Sequence, residues 1–242
     1  MKSRMIYKNP PLVEAVFELF YSSNSWSPII PGLFYNEIKN QFPNITQKQS
    51  GFGIIEGLGL KIGGGNGEMT QYKNSTNDTI IQLSGNLLTV NKLPKYNGWE
   101  SYSEIIIFAI KALNSVLEIN RIERMGLKTI NKVDIGNHSL EQLKKYFKIY
   151  PFIPEEMDDK LNSIQMILES PISEDKEILA IQLSTLRKEQ NYQAPVLFQI
   201  YVTRIKDIPD NYIDWLEQSH IILSETFEKS ITTFSKERFD HE

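Results

Sequence analysis

Ile81-Gln82-Leu83-Ser84 and Ile181-Gln182-Leu183-Ser184 are the same tetrapeptide, alternating apolar and polar side chains as a half-buried strand does. The surroundings of the two copies also agree. Ahead of the first, residues 12–21 (LVEAVFELFY) are rich in β-branched and aromatic types after a Pro-Pro stop, which predicts a strand. Residues 31–42 follow with Phe34, Ile38 and Phe42 at helical spacing. Pro31 lies near the start and Pro43 just beyond the end, the punctuation of an amphipathic helix. Short strands are predicted over 68–73, 79–84 and 86–91, the last two joined by a tight hairpin around Ser84-Gly85-Asn86. Residues 98–118 predict a long helix. Its apolar arc, from Ile106, Ile110, Leu113 and Leu117 round to Phe108, Ala112 and Val116, suits a helix covered on most sides.

Around the second copy the order returns. Residues 122–134 predict a strand, and Ser139-Leu140-Glu141-Gln142 is a capping box opening a helix to about Phe147. Strands follow over 161–170, 177–186 and 195–205. One long helix over about 210–235 carries Tyr212, Leu216, His220, Leu223, Phe227, Ile231 and Phe234 at helical spacing. The expectation is an α+β protein, one fused domain of two β-α-βββ(β)-α halves, residues 1–120 and 121–242. The halves would share a curved antiparallel sheet with the long helices packed on one face. That layout resembles the TATA-binding-protein-like fold, and a fold alone licenses no function.

The 242 residues carry a formal charge of −4, with 40% hydrophobic and 23% charged side chains. This is the composition of a globular chain long enough to bury a real core, and it excludes disordered, collagen-like and disulfide-stapled classes. A pI near 5.6 argues against a general polyanion binder. The absence of cysteine removes disulfides, thiolate metal sites and cysteine nucleophiles. The first eleven residues hold no apolar signal region, and the run Ile105–Ile110 is far short of the roughly 20 residues of a membrane span. A soluble, cytoplasmic protein without membrane association is expected.

Period-2 parity divides the later strands into two faces. Asn162, Ile164, Met166, Leu168, Leu179, Ile181, Leu183, Val196, Phe198, Ile200 and Val202 share the expected core side. The opposite side gathers Ser163, Gln165, Gln182, Ser184, Gln199, Tyr201 and Thr203, polar yet almost uncharged. Two readings stand for it: a solvated face, or a protein-binding face built from Gln165, Gln182, Gln199 and Tyr201, whose neutral groups cost little to desolvate. Nucleic acid is the less favoured partner, because phosphates call for Lys and Arg. In the opening strands, Glu14 and Glu18 share a face, as do Arg124, Lys128 and Lys132. If the two strands are neighbours, these residues form either an ion-pair ladder fixing register or the charged floor (Glu14, Glu18, Arg124, Lys128) of a ligand pocket.

Residues 51–67 hold eight of the 13 glycines. Gly63-Gly64-Gly65-Asn66-Gly67 lacks the G-K-[ST] ending of a phosphate loop. A flexible hairpin is expected, with a partner-contact loop through Gly64 and Asn66, or an anion nest, as alternatives. Trp99 is expected to wedge the long helix against the sheet or to stand as an exposed partner anchor. His138, His220 and His241 show no metal-ligand spacing, and His220 falls on an apolar stripe as a packing residue. Asp158-Asp159 and Asp207 read as loop or helix-start carboxylates, and Asp210 as a helix cap. No catalytic residue, metal ligand or cofactor is assigned.

The segment Asn9-Pro10-Pro11-Leu12-Val13-Glu14-Ala15-Val16-Phe17-Glu18 resembles the opening motif of a sporadically distributed bacterial family of unknown function. Tyr96-Asn97-Gly98-Trp99-Glu100 and Arg124-Met125-Gly126-Leu127-Lys128-Thr129-Ile130-Asn131 are similar to its two later blocks. The last block usually runs Gly-Leu-Arg-Tyr-Ile-Asn. Lys128 and Thr129 replace its Arg and Tyr here, so no bidentate guanidinium contact is implied. The resemblance implies mobile or antiviral defence loci, and carries no activity. The expected function is a non-enzymatic binding protein: a sensor, adaptor or neutralising partner in a bacterial multi-gene system of the defence or toxin–antitoxin kind. A nucleic-acid or nucleotide binder, and an enzyme with an unrecognised site, are the alternatives. Oligomeric state is left open.

Overall fold

β1 (Leu12–Ser22) buries Ala15, Phe17, Leu19 and Tyr21 on one side, which leaves Glu14, Val16, Glu18 and Phe20 on the other. In the computed structural model, which describes residues 7–49, 68–94, 96–154, 163–185, 195–209 and 211–241, this strand lies in the middle of the sheet. The other strands are β2 (Asn44–Gln49), β3 (Glu68–Lys73), β4 (Thr79–Ser84), β5 (Leu87–Lys92), β6 (Arg121–Asp134), β7 (Gln165–Ile172), β8 (Glu177–Thr185) and β9 (Pro195–Arg204). Among the described residues they form one nine-stranded antiparallel sheet in the order β2-β3-β4-β5-β1-β6-β9-β8-β7. The helices are α1 (Ile30–Ile38), α2 (Trp99–Val116), α3 (Leu140–Tyr146), α4 (Tyr212–Ser230) and α5 (Thr233–His241). The protein is a mixed α+β fold. No helix among the described residues is long and apolar enough to cross a membrane.

One apolar cluster joins the Phe17 side of the strands to the helices. It unites Val90, Ile81, Leu127, Phe198 and Ile200 with Phe34 and Ile38 of α1, Ile106 and Leu113 of α2, Leu143 of α3 and Leu216 and Leu223 of α4. The hairpin around Gly85-Asn86 closes as expected, with Ser84 opposite Leu87. One strand lies outside the predicted set, and one expected core residue needs correction. Residues 44–49 form a strand although Asn-Ile-Thr-Gln-Lys-Gln has a single large apolar residue, Ile45, and that residue is exposed. Leu168, expected in the core, is exposed, and β7 is the last strand of the sheet among the described residues. Asn162 lies outside the described residues.

The single final helix is in fact two. Ile231 is fully buried and bridges to Phe147, and the Thr232 hydroxyl donates to the Lys145 carbonyl at 2.6 Å. Thr232 Oγ1 also accepts the Ser235 N–H at 3.3 Å, an N-cap that starts α5. Tertiary contact with the end of α3 thus breaks a periodicity that runs on through the sequence. At the start of α3, Ser139 caps through the Gln142 N–H at 3.2 Å, but its own N–H goes to Asn137 Oδ1 at 3.0 Å rather than to the Gln142 side chain. Half of the expected capping box forms. The cap of α4 is Asn211, which accepts the Ile213 N–H at 3.3 Å; Asp210, expected there, lies outside the described residues.

The β3–β4 turn supplies an acid-sensitive contact. Asp78 Oδ1 meets Lys92 Nζ at 2.8 Å, Asn74 Nδ2 at 2.8 Å and Thr79 Oγ1 at 2.9 Å. Burial alone would raise the Asp78 carboxyl. The Lys92 ammonium and the donors of Asn74, Thr79 and Thr76 outweigh it and hold the group well below the usual carboxylate range. A depressed folded value means stability that is present above the unfolded value near pH 4 and lost as pH falls below it. The stability gap between the native chain and Asp78→Asn, from urea titrations, should therefore shrink between about pH 5 and pH 2. A gap independent of pH would count against the ion pair.

Candidate functional site

On the face opposite the apolar cluster, three strands converge on one carboxylate. Glu18 of β1 is directly opposite Gly126 of β6, and Thr203 of β9 is opposite Gly126 on its other side. Tyr201, two residues along β9, lays its ring across Gly126 and donates its hydroxyl to Glu18 Oε2 at 2.7 Å. A Cβ at position 126 would stand 2.6 Å from Tyr201 Cε2 and 2.8 Å from Cζ, so only glycine leaves the ring this path. Glu18 is buried, and the Tyr201 phenol is raised above its ordinary value first by burial and then by the Glu18 charge.

The expected ion-pair ladder between β1 and β6 does not form. Register places Val16 opposite Lys128, Gly126 opposite Glu18 and Ile130 opposite Glu14, so opposite charges are staggered. Among the described residues no carboxylate–cation contact within 4 Å joins the two strands. Glu14 instead accepts from Asn91 Nδ2 at 2.7 Å. Lys128 is buried: desolvation lowers its amine below the ordinary lysine value, and the charges of Glu18 and Glu14 pull the other way. Arg124 stacks its guanidinium 3.9 Å over the Phe20 ring. The four residues of the expected charged floor therefore share one face, with Glu14 held by Asn91, Glu18 by Tyr201 and Arg124 by Phe20, while the Lys128 ammonium lies 6.0 Å from the centre of the Tyr201 ring.

From Asn91 the polar network runs outward. Gln82 Nε2 donates to Thr89 Oγ1 and Asn91 Oδ1, both at 3.0 Å, and Gln82 Oε1 accepts from Gln71 at 2.7 Å. On the other side of the sheet the chemistry is similar and the pairing is not. Gln182 and Gln199 face each other across β8 and β9, each 3% exposed, and Ser184 lies two residues along β8 at 2%. Among the described residues, both polar ends of Gln182, Nε2 of Gln199 and Oγ of Ser184 are buried without a hydrogen-bond partner. Gln165, on β7 opposite Ser184, is exposed, and Tyr201 is half-buried. Adjacent strands do carry the three glutamines, but this is not a solvated face: its middle is buried.

Gly64 and Asn66 lie outside the described residues, as do Asp158 and Asp159. Trp99 is buried rather than an exposed anchor; its indole N–H donates to Glu217 at 2.6 Å and its ring stacks on His220 at 4.1 Å. Among the described residues no group of three or more His, Asp or Glu stands close enough to hold a metal ion. Sequence reasoning missed Gly126, Asn91 and Gln82. A lone glycine inside the strand 122–134 was the available signal for a close approach at Gly126. No protein-family model matches the chain, and no curated protein matches it.

Proposed function

We propose that this chain is a non-catalytic binding protein, a sensor, adaptor or neutralising partner, that receives a protein partner on the polar face of its sheet. The observation that carries this reading is the buried, unpaired capacity of Gln182, Gln199 and Ser184 beside a fully paired counterpart at Gln82. An unmade buried hydrogen bond costs roughly 1–3 kcal/mol per group, a cost that a partner's amide groups would relieve once docking moves aside the side chains that cover these atoms. Nucleic acid is less suited, because Lys128 is desolvated beside two carboxylates and Arg124 is stacked on Phe20. The family resemblance read from the sequence favours a partner from a mobile or defence-associated bacterial system.

The fold supports a further part of the reading, two fused halves with helices backing one face. Outward from the centre the strands run β1-β5-β4-β3 on one side and β6-β9-β8-β7 on the other. Gln82 lies in one cross-strand row with Thr89 and Glu18, and Gln182 in one row with Gln199, Ile130 and Glu14. A two-fold axis at the Val16–Lys128 pair carries the first row onto the second, so the repeated tetrapeptides occupy equivalent places.

The double variant Gln182→Leu/Gln199→Leu tests the binding reading. Replacing unpaired buried amides by apolar groups of similar size should leave the melting temperature equal or higher. Partner capture from a lysate of the native host by the immobilised chain should fall at least about tenfold, the loss of one or two such hydrogen bonds. Undiminished capture of the same protein by the variant would defeat the reading.

A further inference from the structure

Near the middle of the polar face, the carboxylates are satisfied and the cations are not. Glu14 accepts from Asn91 at 2.7 Å and Glu18 from Tyr201 at 2.7 Å, both neutral donors. Among the described residues neither Arg124 nor Lys128 forms an ion pair. Arg124 rests on the Phe20 ring, with its Nε buried and unpartnered among those residues. Lys128 is 5% exposed, and its ammonium approaches the Tyr201 ring at 6.0 Å without donating a hydrogen bond to any described residue. Register is the cause: Val16 and Tyr201 lie directly opposite Lys128, and Glu14 and Glu18 only on the diagonals. The donors beside Lys128 are also unmet. Gln199 is its diagonal neighbour on β9, Gln182 stands opposite Gln199, and the Nε2 atoms of both are buried without a partner among the described residues. This part of the face is rich in donors and short of acceptors.

We infer that the protein partner presents a carboxylate to Lys128, an Asp or Glu side chain of an acidic segment lying over β6 and β9, with the Gln199 and Gln182 amides as further donors. This inference rests on the binding reading above and adds the chemistry of the partner. Lys128 is covered in the free chain, so the carboxylate reaches it as docking displaces the side chains over it. An ammonium is a donor only. Neutral carbonyls would satisfy the amides and leave its charge uncompensated, whereas a carboxylate supplies both the acceptor and the opposite charge. Arg124 shares this face of β6 four residues earlier, roughly 13 Å along the strand, so an acidic segment is favoured over a lone acid among basic residues. A phosphate backbone fits poorly, because it calls for a row of cations and here Glu14 and Glu18 flank Lys128.

A short end-blocked polyglutamate peptide is the probe, with polyglutamine of equal length as the neutral control, both followed by fluorescence anisotropy. The native chain should bind polyglutamate at least about tenfold more tightly than polyglutamine. Lys128→Met removes the charge and keeps the length of the side chain. It should hold or raise the melting temperature, because an unpaired buried cation is gone, and it should lose the preference for polyglutamate. Lys144→Met, at an exposed lysine on α3, should change neither. Equal binding of the two peptides by the native chain, a preference that survives Lys128→Met, or a matching loss in Lys144→Met would each overturn the inference. Tighter binding of a single-stranded oligonucleotide than of polyglutamate would also overturn it, pointing to phosphate. The peptide measurement needs no cellular partner, so its failure is distinct from failure of the binding reading. Native partner capture that depends on Gln182 and Gln199, with polyglutamate and polyglutamine bound alike, would remove the carboxylate and leave the docking face in place.

Discussion

Glu177→Ala should lower folding stability by about 3–5 kcal/mol, the cost of leaving a buried charge without its partner. Glu177 is 6% exposed and accepts three hydrogen bonds. Arg204 Nη1 at 3.1 Å and Trp215 Nε1 at 2.9 Å share Oε1, and the Ser173 hydroxyl reaches Oε2 at 2.6 Å. One carboxylate thereby joins β8, β9, α4 and the β7–β8 turn. Removing it leaves the Arg204 guanidinium with the Asp207 carbonyl at 2.8 Å, its Nε already buried without a partner among the described residues, and strands the Trp215 N–H. Glu177→Gln should cost less, since an amide oxygen still accepts from Trp215. Urea denaturation measures both. A loss under about 1 kcal/mol for the alanine variant would mean the pair behaves like a solvent-screened surface bridge. Replacing Glu177 and Arg204 together by methionine should cost less than Glu177→Ala alone, because no uncompensated charge remains.

Much of this architecture is legible from period and punctuation. β8 and β9 alternate without interruption, so parity alone sorts Phe198 and Ile200 from Gln199 and Tyr201. Hairpin and helix ends follow from Gly85-Asn86, Pro31 and Ser139, whose effects act within a few residues. What is hidden depends on which strand lies beside which. The break at Ile231-Thr232 arises from contact with Phe147 and Lys145, and nothing in the local pattern of 210–235 announces it. β2 is held by pairing with β3 rather than by burying a face. The candidate site divides the same way. Gln182, Gln199, Glu18 and Lys128 stand out by residue type, but alternation says only that they avoid the apolar side. That they are buried there, and that staggered register denies Glu18 a lysine and gives it a tyrosine from the far side of β6, follows from strand order.

That tyrosine makes Gly126→Ala the second large effect to expect. The added methyl must displace the Tyr201 ring, because Cε2 and Cζ would lie 2.6 and 2.8 Å away and the backbone of a central strand cannot yield by an ångström. Overpacking of this kind costs about 1–3 kcal/mol, and moving the ring also removes the one hydrogen bond that Glu18, a buried carboxylate, accepts from a side chain among the described residues. A hydrogen bond to a charged group contributes roughly 1.5–3 kcal/mol, so a total of about 2.5–6 kcal/mol is expected. A double-mutant cycle distinguishes this cause from a loss of backbone freedom at residue 126. In a Tyr201→Ala background the ring is absent and Glu18 has already lost its donor, so Gly126→Ala should be nearly neutral; chemical denaturation of the four proteins gives the coupling directly. Tyr201→Phe keeps the ring over Gly126 and removes only the hydroxyl. It should cost about 1.5–3 kcal/mol by itself, the hydrogen-bond part of the total. If Gly126→Ala were equally damaging with and without the ring, the glycine would be needed for its own backbone and not for Tyr201. The route by which β9 reaches over β6 to β1 would then have no energetic weight.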